Sequence, residues 1–257
     1  MKSGHCHKFY KHTLLWDAPN LEGVVTMIGV LGGVGFSQSA IFSSTEVETV
    51  ETPYGSVHMF LAGRIAFVAR HGRAGNVPPH KINHKANISA FKGKGISKVI
   101  GVNSVGSLKP EISPPTILIP HDYFNPWDIA TIFDDRIVHV VPGLDQALRN
   151  DLLSFADILG LGAVEKGVYV QTLGPRLETK AEVRVLKAFG DVVGMTMANE
   201  ATLAKEMGLG YASICSVDNF AHGITDEPLT NEMILKNARA NGERIAEFLL
   251  KVVEELE

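Results

Sequence analysis

Cysteine is almost missing from this chain: Cys6 and Cys215 are its two, with no Cys-x-x-Cys pair, which excludes a disulfide-stapled fold and fits a reducing, cytoplasmic setting. No apolar run reaches the roughly 18 residues that a membrane-spanning helix needs. Charge of one sign is also lacking, since 24 Lys and Arg stand against 28 Asp and Glu for a net charge of -4, with no sustained basic run. A nucleic-acid backbone therefore has no electrostatic footprint to grip. There is no internal repeat, no low-complexity tract and no linker after Met27. What remains is 257 residues, 45% of them hydrophobic, enough for one substantial core and consistent with one α/β domain.

Residues 1–26 read as an extension, disordered or a start that the functional protein does not use. They hold His5, Cys6, His7 and His12 but no apolar core or cleavage site of a signal peptide. That cluster matches no zinc spacing, so no metal is expected. The domain proper spans 27–257.

From Val24 onward, short β-branched runs alternate with helical stretches. Val24–Leu31, Ile65–Ala69, Lys98–Val102, Thr116–Pro120, Glu165–Gln171, Asp191–Met195 and Tyr211–Val217 read as strands. Helices are expected over about His80–Lys94, Gln146–Leu159, Ala198–Met207 and from about Thr230 to the end, with Thr179 and Glu182 as a capping box for another. This alternation predicts a three-layer α/β fold, a mixed, mostly parallel sheet flanked by helices. Ligands in such folds bind outside the carboxyl ends of the strands, where the polar clusters of this chain fall.

Two of those polar residues carry the most information. Glu178, in Gly174-Pro175-Arg176-Leu177-Glu178-Thr179, only accepts hydrogen bonds; Asn219, in Ser216-Val217-Asp218-Asn219-Phe220, both donates and accepts. Together they complement hypoxanthine or guanine, which present N–H donors on one edge and a carbonyl beside a ring nitrogen on the other. Gly32-Gly33-Val34-Gly35 follows a strand and reads as a backbone cradle for an anion. It is no dinucleotide fingerprint, because Gln38 stands where the third glycine belongs. Arg70 offers a planar fork for phosphate oxygens and His71 a further donor. Asn103-Ser104-Val105-Gly106-Ser107 and Met195-Thr196 add hydroxyls and backbone amides, making an orthophosphate-sized site.

In this order Gly32-Gly33-Val34-Gly35, Ala69-Arg70-His71-Gly72-Arg73, Pro79-x-Lys81-x-Asn83, Asn103–Leu108, Gly174–Thr179 and Val193-Gly194-Met195-Thr196 resemble the trimeric purine nucleoside phosphorylase and methylthioadenosine phosphorylase family. The resemblance runs from Met27 to roughly Leu250. It implies phosphorolysis: orthophosphate, a co-substrate and no resident cofactor, attacks the anomeric carbon of a purine nucleoside and releases the base. Carried over, it assigns Arg70, His71, Ser104 and Thr196 to phosphate, with backbone help from Gly33, Val34 and Val105. Met195 would lie under the ribose and Glu200 beside its 2′- and 3′-hydroxyls. Leu177 would pack on the base, Glu178 would accept its N1–H, and Asn219, next to Asp218, would bond N7 and the 6-oxygen. Catalysis would rest on Asn219, Glu178 and Arg70. Asn231, Ile234 and Leu235 match positions lining the 5′ pocket, Asn231 favouring a hydroxyl and the other two a methylthio group. His139 would reach a neighbouring subunit's 5′ pocket in a trimer or dimer of trimers. Adenine-preferring members carry Ser and Asp at the positions of Glu178 and Asn219, so the resemblance points to 6-oxopurine nucleosides such as inosine, guanosine or 5′-methylthioinosine. Val34 replaces a phosphate-binding Thr or Ser of many relatives, Gly75 a histidine of the methylthio branch and Asn199 a proline. The alternatives are a methylthioadenosine phosphorylase, a water-using nucleosidase or a non-catalytic purine-binding protein.

Overall fold

The computed structural model describes residues 26–37, 39, 45–127 and 129–256. The stretch 1–25, with its His and Cys cluster and the start of the expected first strand, lies outside the described residues, as do Asp128 and the side chain of Val34.

Among the described residues the centre is an eleven-stranded mixed sheet. β1 (Ile28–Gly32), β4 (Ile65–Ala69), β5 (Lys98–Ser107) and β11 (Gly210–Phe220) run parallel in the order β4-β1-β5-β11. Their residues are buried on both faces, which is why these segments read as apolar runs without alternation. One core holds Ile28, Val30, Phe67, Ile100 and Ile214 against the helices α3 (Gln146–Ile158) and α6 (Asn231–Glu255). The opposite face packs Leu31, Val68, Val99 and Val217 on α2 (His84–Gly93) and α5 (Met197–Glu206). The result is three layers, as the alternation of strands and helices predicts.

Two strands depart from expectation and both shape the site. β5 does not stop at Val102; Asn103–Ser107 continues it, so that its first half lies between β1 and β11 and its end pairs antiparallel with β10 (Val192–Gly194). β11 carries a bulge: Val217 pairs with Val105 and Asn219 with Gly106, leaving Asp218 as the extra residue. A bulge twists a strand and shifts its register, so it decides which of the alternating side chains beyond Val217 meets the site.

Glu46–Ala62 forms an antiparallel hairpin of β2 (Glu46–Thr52) and β3 (Gly55–Ala62), which extends the sheet beyond β4. Its signal is the alternation of Glu46-Val47-Glu48-Thr49-Val50-Glu51 ahead of Pro53-Tyr54-Gly55. On the other side, β9 (Val168–Gln171) lies between β10 and the short β7 (Asp122–Phe124), while β6 (Thr116–Leu118) pairs with β11 and with β8 (Ala163–Val164). α4 (Lys180–Leu186) opens on the expected capping box of Thr179 and Glu182. The expected helix from His80 divides into a 3₁₀ turn at Pro79–Lys81 and α2, whose N-cap is Asn83. α1 (Val34–Ser37) is a single turn between β1 and α6.

Candidate functional site

A cavity of about 260 Å³ opens where β1, β4, β5, β10 and β11 end or bend. Gly33, Arg70, His71, Ser104, Val105 and Thr196 line it together with Leu177, Glu178, Met195 and Asn219. Ile234, Leu235, Leu229 and Ala238 form an apolar wall contributed by α6 and the segment before it.

Arg70 is buried and held from three sides. Nε donates to Glu200 Oε1 at 2.6 Å, Nη2 to Glu200 Oε2 at 3.0 Å and to the Leu31 carbonyl at 2.7 Å, and Nη1 to the Val102 carbonyl at 2.6 Å. A guanidinium has five N–H groups, so these bonds leave one on Nη1 for a ligand. That nitrogen lies beside Gly33, where a Cβ would come within 3.2 Å of it and 4.0 Å of His71 Nε2. Glu200 is fully buried and also accepts from the Tyr211 hydroxyl at 2.7 Å. Its carboxylate raises the Arg70 pKa against the lowering effect of burial, and burial raises the Tyr211 hydroxyl well above the usual tyrosine value. The expectation that Glu200 meets the ribose hydroxyls is therefore corrected: it forms no part of the cavity wall and anchors Arg70 from behind.

His71 Nδ1 lies 2.7 Å from the Val77 carbonyl, which requires the proton on Nδ1. Burial, foremost, pushes its pKa down, helped by Arg70 and opposed by Val77 and Glu200. The neutral ring thus presents Nε2 as an acceptor, suited to the O–H of a hydrogen phosphate, and becomes a donor there when protonated.

The two hydroxyls differ in their wiring. Thr196 Oγ1 accepts from Asn103 Nδ2 at 2.9 Å, so its own hydrogen is not needed for that bond. Ser104 Oγ, by contrast, donates to Asp218 Oδ2. Asp218 is itself buried behind this wall and outside it, not on the substrate side as expected. Thr196 is fixed further by Tyr169, whose hydroxyl oxygen accepts from the Thr196 and Met197 amides at 3.0 and 3.3 Å.

Glu178 is buried and its Oε1 accepts from Thr172 Oγ1 at 2.6 Å, leaving the other oxygen for a ligand. Asn219 donates from Nδ2 to the Phe220 carbonyl at 2.8 Å, which fixes the amide and leaves Oδ1 and one N–H. Met195 packs its sulfur against Gly174, whose φ of +64° and lack of side chain both suit that contact.

Of the glycines taken as a phosphate cradle, Gly33 alone faces Arg70 and His71. A Cβ on Gly32 would press on Phe36 and Phe67 at 2.5 and 2.7 Å, and one on Gly35 would meet the Ala238 carbonyl oxygen at 2.5 Å. Both positions therefore require glycine for packing, and Gly35 also lines the cavity. Asn231 is exposed at the start of α6 and does not line the cavity, unlike Ile234 and Leu235. His139 is exposed and lines a separate cavity of about 510 Å³ with Tyr123 and Glu206. Sequence reasoning does not single out the supporting polar residues Asn103, Tyr169, Thr172 and Tyr211. The available signal is a polar side chain inside an otherwise apolar strand, as for Asn103 in β5.

A family model described as the phosphorylase superfamily matches residues 27–254. The chain is 44% identical to a probable 6-oxopurine nucleoside phosphorylase of Archaeoglobus fulgidus, covering 89% of this chain and 95% of that one. It is 38% identical to a probable S-methyl-5′-thioinosine phosphorylase of Methanocaldococcus jannaschii, covering 89% and 91%. Among solved structures it resembles methylthioadenosine phosphorylase from Schistosoma mansoni in complex with adenine, with a TM-score of 0.79 at 25% identity over 90% of this chain and 91% of that one.

Proposed function

The chain belongs to the phosphorylase superfamily and is an enzyme of pentosyl transfer; from that premise we propose that it cleaves 6-oxopurine nucleosides with orthophosphate, giving free base and pentose 1-phosphate. The observation that carries this reading is one cavity lined by Arg70, Ser104 and Thr196 and also by Glu178 and Asn219. Phosphate would sit against Arg70 Nη1, the Gly33 and Val105 backbone and the Thr196 hydroxyl. Glu178 would accept the purine N1–H and Asn219 would bond N7 and the 6-oxygen. Cleavage builds positive charge on the sugar and negative charge on the base. Phosphate stabilises the first and the Asn219 N–H the second, so the protein acts mainly by positioning and preorganised charge. Adenine would set its N1 acceptor against the Glu178 carboxylate, at about 1–3 kcal/mol for the unsatisfied group.

A 5′-methylthio substrate is favoured by one specific observation: Ile234 and Leu235 face the cavity while Asn231 does not. A trimer or dimer of trimers is supported by His139 and by Ile137 and Val141, which are 89% and 81% exposed on the same extended segment. A cytoplasmic location is supported by the sparse cysteines. The segment 1–26 is taken to be dispensable, in keeping with a family match that begins at residue 27, and a protein starting at Met27 is expected to keep its turnover. A soluble but inactive truncation would contradict that reading.

The decisive assay measures base release from inosine, 5′-methylthioinosine and adenosine, each with and without phosphate. Phosphate-dependent release from the first two and little from adenosine is expected. Release without phosphate would mean a nucleosidase, no release a binding protein, and adenosine as best substrate would overturn the base assignment.

A further inference from the structure

The phosphate end of the cavity contains a hydroxyl facing the wrong way. A serine hydroxyl has one hydrogen, and that of Ser104 is given to Asp218 Oδ2. Phosphate oxygens accept hydrogen bonds, so in this arrangement Ser104 offers them only lone pairs. Thr196, across the same site, keeps its hydrogen because its oxygen accepts from Asn103. The difference originates in the β11 bulge, which inserts Asp218 between residues paired with Val105 and Gly106 and buries its carboxylate behind the exposed Ser104.

We propose that Asp218 is a positioning residue for phosphate that acts through Ser104: the carboxyl takes up a proton when the anion binds, and Ser104 then turns its hydroxyl hydrogen into the cavity. This rests on the phosphate-binding reading above. The proton comes from solvent and forms an O–H on Oδ2, which donates to Ser104 Oγ; the Ser104 hydrogen passes from Asp218 to an anion oxygen, and no other bond changes.

The surroundings suit a carboxyl that changes state. Oδ1 accepts from Ser216 Oγ and, at 3.4 Å, from Asn241 Nδ2 of α6. Asn237 donates to the Asp218 backbone carbonyl at 2.8 Å, and Arg244 reaches only the far side of Asn241, at 3.3 Å from its Oδ1. On β11 itself, burial pushes the Cys215 thiol up to about 12, so it stays neutral. Among the described residues, then, the side-chain partners of this carboxylate are neutral donors, and burial outweighs them, pushing its pKa up to about 6. Arg70, His71 and His222 line the cavity on the other side of Ser104. A dianion placed there would favour the protonated acid further.

Asp218→Asn tests this, because an amide with its oxygen at the Oδ1 position and its nitrogen at Oδ2 mimics the protonated acid at every pH. The probe is sulfate, whose charge is constant across the range, measured as a competitive inhibitor against phosphate from pH 6.5 to 8.5. The wild-type Ki is expected to rise by up to tenfold per pH unit, and the Asp218→Asn Ki by at least tenfold less over the whole range. His71 and His222 are retained in both proteins, so an equal rise in the two would overturn the proposal. Should Asp218→Asn fail to fold, Ser104→Ala serves: it is expected to weaken sulfate at pH 6.5 and not at pH 8.5, and a loss equal at both would contradict the linkage. If wild-type base release ignores phosphate, the phosphorylase reading fails by itself. Sulfate binding by calorimetry, with the same pH series, then decides the Asp218 linkage separately.

Discussion

At the scale of single residues, the site is a set of polar groups each with one bond left over. Arg70 has one N–H, Glu178 one oxygen and Asn219 one N–H with its carbonyl, because neighbouring groups hold the rest. Such groups undergo little reorganisation when a substrate arrives, which is where preorganised electrostatics gains its effect. Asn219→Ala removes the donor to the departing base and is expected to lower kcat on inosine by about 10²-fold or more, as loss of one oxyanion donor does; steady-state kinetics checks it, and near-normal turnover would remove Asn219 from the mechanism. Asp218 also leaves a mark on stability. Its folded pKa of about 6 exceeds the ordinary 3.8, so the folded state holds the extra proton between these values and loses stability as pH rises through 6. Melting curves should therefore show the Tm of Asp218→Asn gaining on wild type between pH 5 and pH 8, and a pH-independent difference would contradict the raised value.

Among elements, two close contacts hold the site together. α1 lies against α6 through Gly35 and Gly242, so close that a Cβ on Gly35 would meet the Ala238 carbonyl oxygen at 2.5 Å. That contact fixes Gly33, two residues earlier, against Arg70. Gly35→Ala must push backbone from backbone, and a loss of about 1–3 kcal/mol is expected by analogy with overpacked cores. Denaturant unfolding measures this, and a higher phosphate KM should accompany it; unchanged stability would show that α1 shifts freely. The second contact joins β5 and β11. Because β5 runs on through Ser107, Ser104 sits within a paired strand, opposite Ser216, and not on a free loop, while the bulge opposite Val105 and Gly106 sets the register of Asp218 and Asn219.

Across the whole molecule, the layers and the parallel centre were legible because buried parallel strands are continuous apolar runs, and Ile65–Ala69 matches its strand residue for residue. The Glu46–Ala62 hairpin is written as a plain alternation, Glu46-Val47-Glu48-Thr49-Val50-Glu51, but it is an antiparallel edge and so stands outside the βα pattern. The site residues were legible as types at strand ends: Gly33, Arg70, Ser104, Thr196, Glu178 and Asn219 do meet in one cavity. What could not be read was direction. Glu200 stands in a motif beside Thr196, yet helix α5 turns it away from the cavity to Arg70 and Tyr211. Asp218 and Asn219 are neighbours on a strand, whose side chains alternate between faces, and which of the two meets the cavity depends on a bulge that no local pattern announces.

The central claim is that phosphate, and not water, takes the pentose. Phosphorus NMR of the enzyme with inosine and orthophosphate tests it most directly. A pentose 1-phosphate signal growing one for one with released hypoxanthine is the predicted result; hypoxanthine accompanied by free ribose and an unchanged phosphate signal would contradict it.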